Sequence, residues 1–172
     1  MLFSREFAMP NGNTFSIPPI KKFVSRYCKD QRTIVDPFAR NSAFATHTND
    51  LNPETTAQLH LHAEAACDVW EFRGVVADVV LFDPPYSPRQ ISELYKSIGL
   101  AVGMKETQNG HMYRVVRDGL DRLLRPGGMC LSFGWSSMGM GLKRGYEIVE
   151  ILLVPHGGPH NDTICVAERK LL

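Results

Sequence analysis

The chain has 172 residues, 44% of them hydrophobic, which suits one α/β domain with a substantial core. Its formal net charge of +1 excludes a strongly basic coat for nucleic acid, so any such affinity has to come from a local patch. No apolar stretch has membrane-spanning length, no signal-peptide pattern follows Met1, and the four cysteines lack metal spacing. We expect a cytoplasmic, single-domain protein over residues 1–172, with free thiols and no separate recognition domain.

Short β-type runs alternate with helical stretches, which predicts a largely parallel sheet built from βαβ units. The spacing of Ile20, Phe23 and Val24 after a proline predicts a first helix over 19–28. The β-type runs in this half of the chain predict strands at 33–35, 45–48, 58–61 and 77–82.

The second half of the chain continues this alternation. A short helix is expected at 90–98 and a looser segment at 99–110, followed by a helix over 112–124 whose apolar residues keep helical spacing. The sequence Arg125-Pro126-Gly127-Gly128 breaks that helix before a fifth strand at 129–133. Two last runs, 147–154 and 163–167, flank a turn and predict a terminal antiparallel hairpin.

The four residues after the 77–82 run, Asp83-Pro84-Pro85-Tyr86, match the chemistry of methylating an exocyclic base amine. The lone pair of this amine is delocalised into the ring, so the amine reacts only if its hydrogens are held and the lone pair is turned outward. Asp83 and a proline carbonyl provide two acceptors, and each proline fixes its backbone and removes a competing N–H. Tyr86 offers a flat face for a base taken out of its stack. The alternative is an ordinary turn after a strand, because Asp and Pro favour turns.

Two further signals stand at the ends of strands: residues 36–42, Asp-Pro-Phe-Ala-Arg-Asn-Ser, and residues 50–53, Asp-Leu-Asn-Pro. Together with the tetrapeptide, their order resembles the class I, S-adenosylmethionine-dependent amino-methyltransferases, in particular small phage- or prophage-type DNA N6-adenine methyltransferases. The resemblance covers nearly the whole chain. It implies an α/β, Rossmann-like fold with a seven-stranded, mostly parallel sheet, helices on both faces and a C-terminal antiparallel hairpin.

The resemblance implies S-adenosylmethionine as the cofactor, bound beyond the carboxyl ends of the strands. The first turn would cradle its methionine part, and Asp50 would accept hydrogen bonds from its ribose, although Asp36 or Asp50 alone would also suit turn or capping chemistry. The segment 13–19 resembles an N-terminal cofactor-binding segment, and its two prolines by themselves favour an extended lead into a helix. The implied cofactor-binding residues are Phe15, Ser16, Ile17, Asp36, Pro37, Phe38, Ala39, Asn41, Asp50, Leu51, Asn52, His62 and Asp83.

Two departures from the family concern this cofactor site. Arg40-Asn41-Ser42 replace the usual Gly-Ser-Gly, whose glycines let the backbone approach the cofactor closely. Asn tolerates a left-handed backbone, so we expect Asn41 to form the turn and its side chain to reach the amino-acid end of the cofactor. The acid that usually contacts the cofactor's adenine is also missing, and either His62, by spacing, or Asp68, on the following helix, takes its place.

The expected substrate is a nucleic acid, DNA rather than RNA, with the N6 amine of adenine favoured because Asp begins the tetrapeptide where cytosine-specific relatives commonly have Ser. The implied catalytic residues are Asp83, Pro84, Pro85 and Tyr86. The implied nucleic-acid contacts are Tyr86, Arg89, Lys96, Lys105 and Trp135, for which a solvated connection over 86–110 and a core or wall position of Trp135 are the alternatives. No metal site is expected, because His60 and His62 have no further ligands near them in the sequence.

Two rival functions stay open. The first is base N-methylation in RNA, as in ribosomal RNA methyltransferases with similar tetrapeptides, including ones that act on guanine N2. The second is a non-catalytic module that binds cofactor or nucleic acid, which the missing glycines allow. The intact tetrapeptide argues against the second rival, because a decayed enzyme has little physical reason to keep a proline pair between an acid and an aromatic residue.

Overall fold

The computed structural model describes residues 1–86, 89, 92, 93, 96, 99 and 109–172. Most of the predicted helix at 90–98 and of the segment 99–110, including Lys105, lies outside these described residues. Three described helices are α1 (Pro18–Cys28), α2 (Ala63–Phe72) and α3 (Asn109–Leu123), with short 3-10 helices at Thr14–Ser16 and Leu142–Arg144. The strands are β1 (Leu2–Arg5), β2 (Ile34–Asp36), β3 (His47–Thr48), β4 (Ala77–Phe82), β5 (Leu124–Gly134), β6 (Tyr146–Val154) and β7 (Thr163–Lys170).

The described strands form one seven-stranded sheet in the order β1-β6-β7-β5-β4-β2-β3. The pairs β1–β6, β2–β3, β2–β4 and β4–β5 are parallel, whereas β7 runs antiparallel to both β5 and β6. This confirms the predicted α/β class, the mostly parallel sheet and the C-terminal hairpin. The predicted boundaries of α1, β2, β4 and β6 agree with the observed ones to within one residue.

The sheet reaches seven strands by a different route from the predicted one. The expected strand at 58–61 is reduced to a single bridge between Asn49 and Leu59, because side chains take over its pairing: the Asn49 amide bonds both the N–H and the carbonyl of Leu61. The seventh strand is instead β1, which adds to the edge of β6. Its largely exposed residues show no hydrophobic alternation, so the sequence does not indicate it.

The start of β5 also differs from the prediction. Strand β5 begins at Leu124, immediately after α3, where we expected a helix-breaking turn before a strand at 129. Leu124 pairs with Ala77, and Arg125 forms an ion pair of 2.8 Å with Asp78. Gly128 packs against the Asp78 carbonyl at a distance where an added Cβ would approach to 3.0 Å. The glycines thus allow close strand pairing here as well as ending the helix.

Helices cover both faces of the sheet. Alternate residues of β4 face opposite sides: Val79 and Leu81 pack with α1, whereas Val80 and Phe82 pack with α2 and α3. Because helices cover both faces of the sheet, the edge where the parallel strands end is the place that stays accessible for a site. All four cysteines are buried free thiols. Within the described residues, the helices are too short or too polar to cross a membrane.

Candidate functional site at the carboxyl edge of the sheet

Strands β2, β3, β4 and β5 are parallel, so their carboxyl ends lie along one edge of the sheet. Asp36 ends β2, Asp50 follows β3, and Asp83 follows β4. The strand pairing brings these three acids close enough for the charges of Asp83 and Asp50 to raise the pKa of Asp36. A cluster of carboxylates in a partly desolvated place favours a positively charged ligand.

Asp36 is the most unusual of these acids. Its side chain is fully buried, and its Oδ1 accepts a hydrogen bond of 2.9 Å from the Phe38 backbone N–H. Its Oδ2 is buried without any hydrogen-bond partner among the described residues. Burial, together with the charges of Asp83 and Asp50, raises the pKa of Asp36 to about 8, although the Phe38 hydrogen bond opposes the shift. An unsatisfied buried carboxylate oxygen is costly, so this atom fits a ligand that donates a hydrogen bond and carries positive charge.

Asp50 joins the turns that follow β2 and β3. Its Oδ2 accepts the Arg40 N–H at 3.1 Å, and its Oδ1 accepts the Asn52 N–H at 2.9 Å. The turn alternatives considered for Asp36 and Asp50 are therefore real. They leave room for a ligand, because an ionised carboxylate has about four acceptor positions.

The left-handed residue of the first turn is Arg40, with φ of 50°, and the expectation that Asn41 has this conformation is wrong. The left-handed backbone of Arg40 lets its N–H bond Asp50, while its guanidinium donates to the Gly12 carbonyl. The Asn41 side chain instead accepts a hydrogen bond of 2.9 Å from the Thr56 N–H. These contacts hold in place a turn that glycine would form with less strain.

A cavity of about 360 Å³ lies between the N-terminal segment and this turn. It is lined by Asn13, Phe15, Ser16, Lys21, Asn41, Ser42, Ala43 and Phe44. The Phe15 ring packs edge-on against Phe133 at 4.9 Å and Phe44 at 6.0 Å, whereas the Ile17 side chain lies in the core. Lys21, which the sequence analysis did not single out, adds a positive charge. The cavity therefore offers hydrogen-bond donors and a positive charge beside the turn that follows β2.

The tetrapeptide stands directly after β4. The half-buried Asp83 accepts a hydrogen bond from the Tyr86 hydroxyl. Burial raises the pKa of Asp83 to about 6, while the Tyr86 hydrogen bond, the nearby Thr14 side chain and the charge of Arg40 lower it. The Pro85 carbonyl accepts the Tyr113 hydroxyl, but no described residue donates to the Pro84 carbonyl. Pro84 lines the cavity beside the tetrapeptide.

A second cavity, of about 240 Å³, lies beside the tetrapeptide. The Tyr86 ring meets Trp135 edge-on at 5.8 Å, and Trp135 is 46% exposed, so it forms a wall of this cavity and is not a core residue. The lining residues are Phe82, Pro84, Tyr86, Tyr113, Arg117, Ser132, Phe133, Gly134, Trp135, Ser136, Met138 and Gly139. Five of these residues are aromatic, and such a lining fits a flat ring. Tyr113 and Arg117 were not predicted from the sequence. They lie on α3, and Tyr113 is 28 positions from Pro85, so only the packing of the helix brings them to the tetrapeptide.

Other predicted residues are less closely tied to the site. Asp68 bonds Arg122 at 2.8 Å on the outer surface of α2 and α3, whereas His62 lies just before α2, next to Leu61, which Asn49 binds. Arg89 pairs with Glu93, and Lys96 is exposed. Among the described residues, we find no group of three or more side chains arranged to hold a metal ion.

No family model matches the chain, and no curated protein matches it in sequence. Many solved structures are similar in fold, and three of them illustrate the similarity. NSun6 from Pyrococcus horikoshii, determined with SFG, has a TM-score of 0.58 and 14% identity over 87% of this chain and 51% of its own. The N-methyltransferase NodS from Bradyrhizobium japonicum WM9 has a TM-score of 0.56 and 13% identity over 95% of this chain and 100% of its own. An rRNA methylase from Streptococcus thermophilus has a TM-score of 0.52 and 11% identity over 88% of this chain and 93% of its own.

The chain thus spans about half the length of NSun6 and nearly the whole length of the other two. At such low identities the similarity concerns the arrangement of helices and strands. The sheet order and the antiparallel β7 agree with it. The chain therefore has the Rossmann-like fold of these methyltransferases.

Proposed function

We propose that this protein is an S-adenosylmethionine-dependent methyltransferase that acts on the exocyclic amine of a nucleobase, with N6 of adenine in DNA as its target. The observation that carries the proposal is the position of the Asp83–Tyr86 tetrapeptide. It stands between the unsatisfied carboxylate of Asp36 and an aromatic cavity that fits a flat ring. The resemblance of the tetrapeptide to those of the amino-methyltransferases points to the same reaction.

The residues of the cofactor side fit the charges of S-adenosylmethionine. Asp36 Oδ2 would accept a hydrogen bond from the cofactor's ammonium group, and Asp50 would accept the ribose hydroxyls. Lys21 and the Asn41 amide line the neighbouring cavity and would face the cofactor's carboxylate. When bound, the cofactor supplies an electrophilic methyl group on a sulfonium centre. The presence of SFG in the NSun6 structure, whose fold is similar, supports this choice.

The tetrapeptide would prepare the base amine for methylation. Asp83 and the Pro84 carbonyl each accept one N–H of the amine, which turns the nitrogen lone pair away from the base ring. The amine thereby takes the position at Asp83 that the Tyr86 hydroxyl holds in the free protein. With a pKa of about 6, Asp83 is mostly ionised at neutral pH and acts as an acceptor. The amine becomes acidic only as it gains the methyl group, so Asp83 need not be a strong base. Positioning and electrostatics therefore supply most of the acceleration.

Tyr86 and Trp135 would hold the base outside its stack. Their rings meet at the cavity beside the tetrapeptide, and stacking on such rings tolerates any base. The choice of adenine rests on Asp83 at the first position of the tetrapeptide, as in the adenine-specific enzymes that the chain resembles.

The direct test is transfer of labelled methyl groups from S-adenosylmethionine to unmethylated duplex DNA, single-stranded DNA and unmodified RNA, followed by mass analysis of the nucleosides. We expect N6-methyladenine in DNA, and none with Asp83→Ala. The matched control is Asp78→Ala, at the opposite end of β4, where the acid binds Arg125. A methylated base in RNA alone would overturn the choice of DNA and keep the reaction class. Cofactor binding without product in any pool would favour the non-catalytic module.

A further inference from the structure

A buried glutamate lies on the sheet near the aromatic cavity, outside the site described above. Glu168, on β7, is 1% exposed and belongs to the face of the sheet that packs with α3. Its Oε2 accepts the Met140 N–H at 2.5 Å, and its Oε1 accepts the Gly141 N–H at 2.9 Å. Burial raises the pKa of Glu168, while these two hydrogen bonds and the charge of Arg117 lower it. Both carboxylate oxygens thus hold one loop.

This loop consists of residues 135–141 and connects β5 to the 3-10 helix Leu142–Arg144. Gly139 has φ of 43°, and a Cβ added there would lie 2.1 Å from Glu168 Oε2. Only glycine permits this approach of the loop to the carboxylate. From the other side, Arg117 Nη1 donates to the Gly139 carbonyl at 2.7 Å. The 135–141 loop is therefore held between β7 and α3.

The same loop carries one side of the aromatic cavity. Trp135, Ser136, Met138 and Gly139 all line it, and Trp135 stands opposite Tyr86. Met138 is 70% exposed, so the outer part of the loop has little packing of its own to keep it in place. A buried carboxylate is costly unless its hydrogen bonds are made, and here both go to the backbone of the loop. The place of the cavity wall thus depends on Glu168.

We propose that Glu168 is a positioning residue for the substrate base: it holds the 135–141 loop so that Trp135 stays against Tyr86 and the loop forms one wall of the cavity that takes the base. The inference rests on the proposed function and assigns part of substrate capture to a residue that touches neither base nor cofactor. It also assigns Gly139 the role of letting the loop reach the carboxylate.

The test compares Glu168→Gln with a matched control, Glu150→Gln. Glu150 is also buried, lies on the neighbouring β6, and binds Arg26 and Tyr27 on the α1 side of the sheet. The amide introduced by Glu168→Gln would present an N–H to a loop N–H in place of one acceptor. We expect Glu168→Gln to raise KM for the nucleic acid about tenfold, the factor that corresponds to about 1.4 kcal/mol. The kcat and the Kd of S-adenosylmethionine should stay within about twofold, and Glu150→Gln should leave all three unchanged.

A second readout follows the loop itself. The chain has two tryptophans, and Trp70 is buried at 1% exposure, so acrylamide quenching of the fluorescence reports mainly on Trp135. Glu168→Gln should increase quenching, and Glu150→Gln should not. If Glu168→Gln fails to fold, Gly139→Ala is the second variant. Its added Cβ would collide with the Glu168 carboxylate and so displace the same loop.

Equal KM values for the Glu168→Gln and Glu150→Gln proteins, with equal quenching, would overturn the inference. If the wild-type protein transfers no methyl group, the proposed function fails separately. In that case the quenching of Trp135, together with binding of an oligonucleotide that carries fluorescent 2-aminopurine, still decides whether Glu168 fixes the position of the 135–141 loop.

Discussion

The two halves of the candidate site are built in different ways. On the cofactor side, the turns after β2 and β3 are joined by residues close in the chain: Asp36 bonds a residue two positions on, and Asp50 bonds one ten positions back. On the substrate side, the partners are distant: Tyr113 reaches Pro85 across 28 positions, and Glu168 reaches Met140 across 28. The acids of the first half are held by local turn chemistry, to which the Arg40 side chain adds one distant bond to Gly12, and the second half depends on how helix α3 and strand β7 pack.

Because the proposed function assigns one role to each half, substitutions in the first half should change cofactor binding, whereas those in the second should change binding and orientation of the base. Two of the acids with raised pKa values, Asp36 and Asp83, stand one in each half and provide the sharpest comparison.

The largest effect is expected from Asp83→Ala. The substitution removes the acceptor that orients the amine, so kcat should fall by at least about 10²–10³, the usual cost of one such electrostatic contact in a transition state. Cofactor affinity should change little, as measured by calorimetry. Asp78→Ala is the control on the same strand. Full activity of the Asp83→Ala protein would exclude the catalytic role.

Asp36→Asn should act on the cofactor alone. Loss of a charge-assisted hydrogen bond to the ammonium group should weaken S-adenosylmethionine binding by about 1.5–3 kcal/mol. Because the pKa of Asp36 is about 8, the free protein mostly holds a proton there at pH 7. A bound cation favours the ionised form, so binding should release a proton, and affinity should rise as the pH increases towards 8.

Calorimetry in buffers of different ionisation enthalpy measures this release. The wild-type protein should release up to about one proton at pH 7, and the Asp36→Asn protein should release none. Proton release that is the same in both proteins would place the titrating group elsewhere and remove the argument for an ammonium group at Asp36 Oδ2.

Tyr86→Ala should weaken capture of the base by about 1–3 kcal/mol, because one stacking face is lost. Tyr86→Phe keeps that face and removes only the hydroxyl that bonds Asp83. The phenylalanine protein should therefore bind an oligonucleotide as tightly as wild type while its acid limb moves to higher pH, since the Tyr86 hydrogen bond lowers the pKa of Asp83. Equal loss of oligonucleotide affinity in both variants would contradict a stacking role.

The smallest effect concerns Arg40, in the turn that follows β2. Arg40 has a left-handed backbone with φ of 50°, and so does Asp30, between α1 and β2, with φ of 62°. Glycine at either position should relieve about 1 kcal/mol of strain, partly offset at Arg40 by the lost bond to Gly12. Only Arg40→Gly should shift the acid limb of the pH–rate profile upwards, because the charge of Arg40 lowers the pKa of Asp83. Thermal unfolding and pH–rate profiles of both variants measure the two effects, and identical profiles would show that Arg40 does not act on Asp83.

The same contrast explains what the sequence predicts well. Strand β4 with its tetrapeptide and the acid of β2 are signalled by an apolar run followed directly by Asp, and the short polar strand β3 is followed by Asn49-Asp50. Such signals lie within a few residues, where backbone geometry and turn preference decide the structure. The terminal hairpin is signalled in the same way by two apolar runs around a turn.

The sequence by itself therefore determined the fold class, the succession along the chain of the strands that carry the acids, and the position of the tetrapeptide at the end of β4. Only the tertiary structure decided that β1 completes the sheet edge, that Arg40 and not Asn41 turns left-handed, and that Asp36 keeps one oxygen without a partner among the described residues. It also brought Glu168 to the 135–141 loop. The physical reason is that these features arise from contacts between distant segments, or from a balance of strain against hydrogen bonds that appears only once those segments are packed.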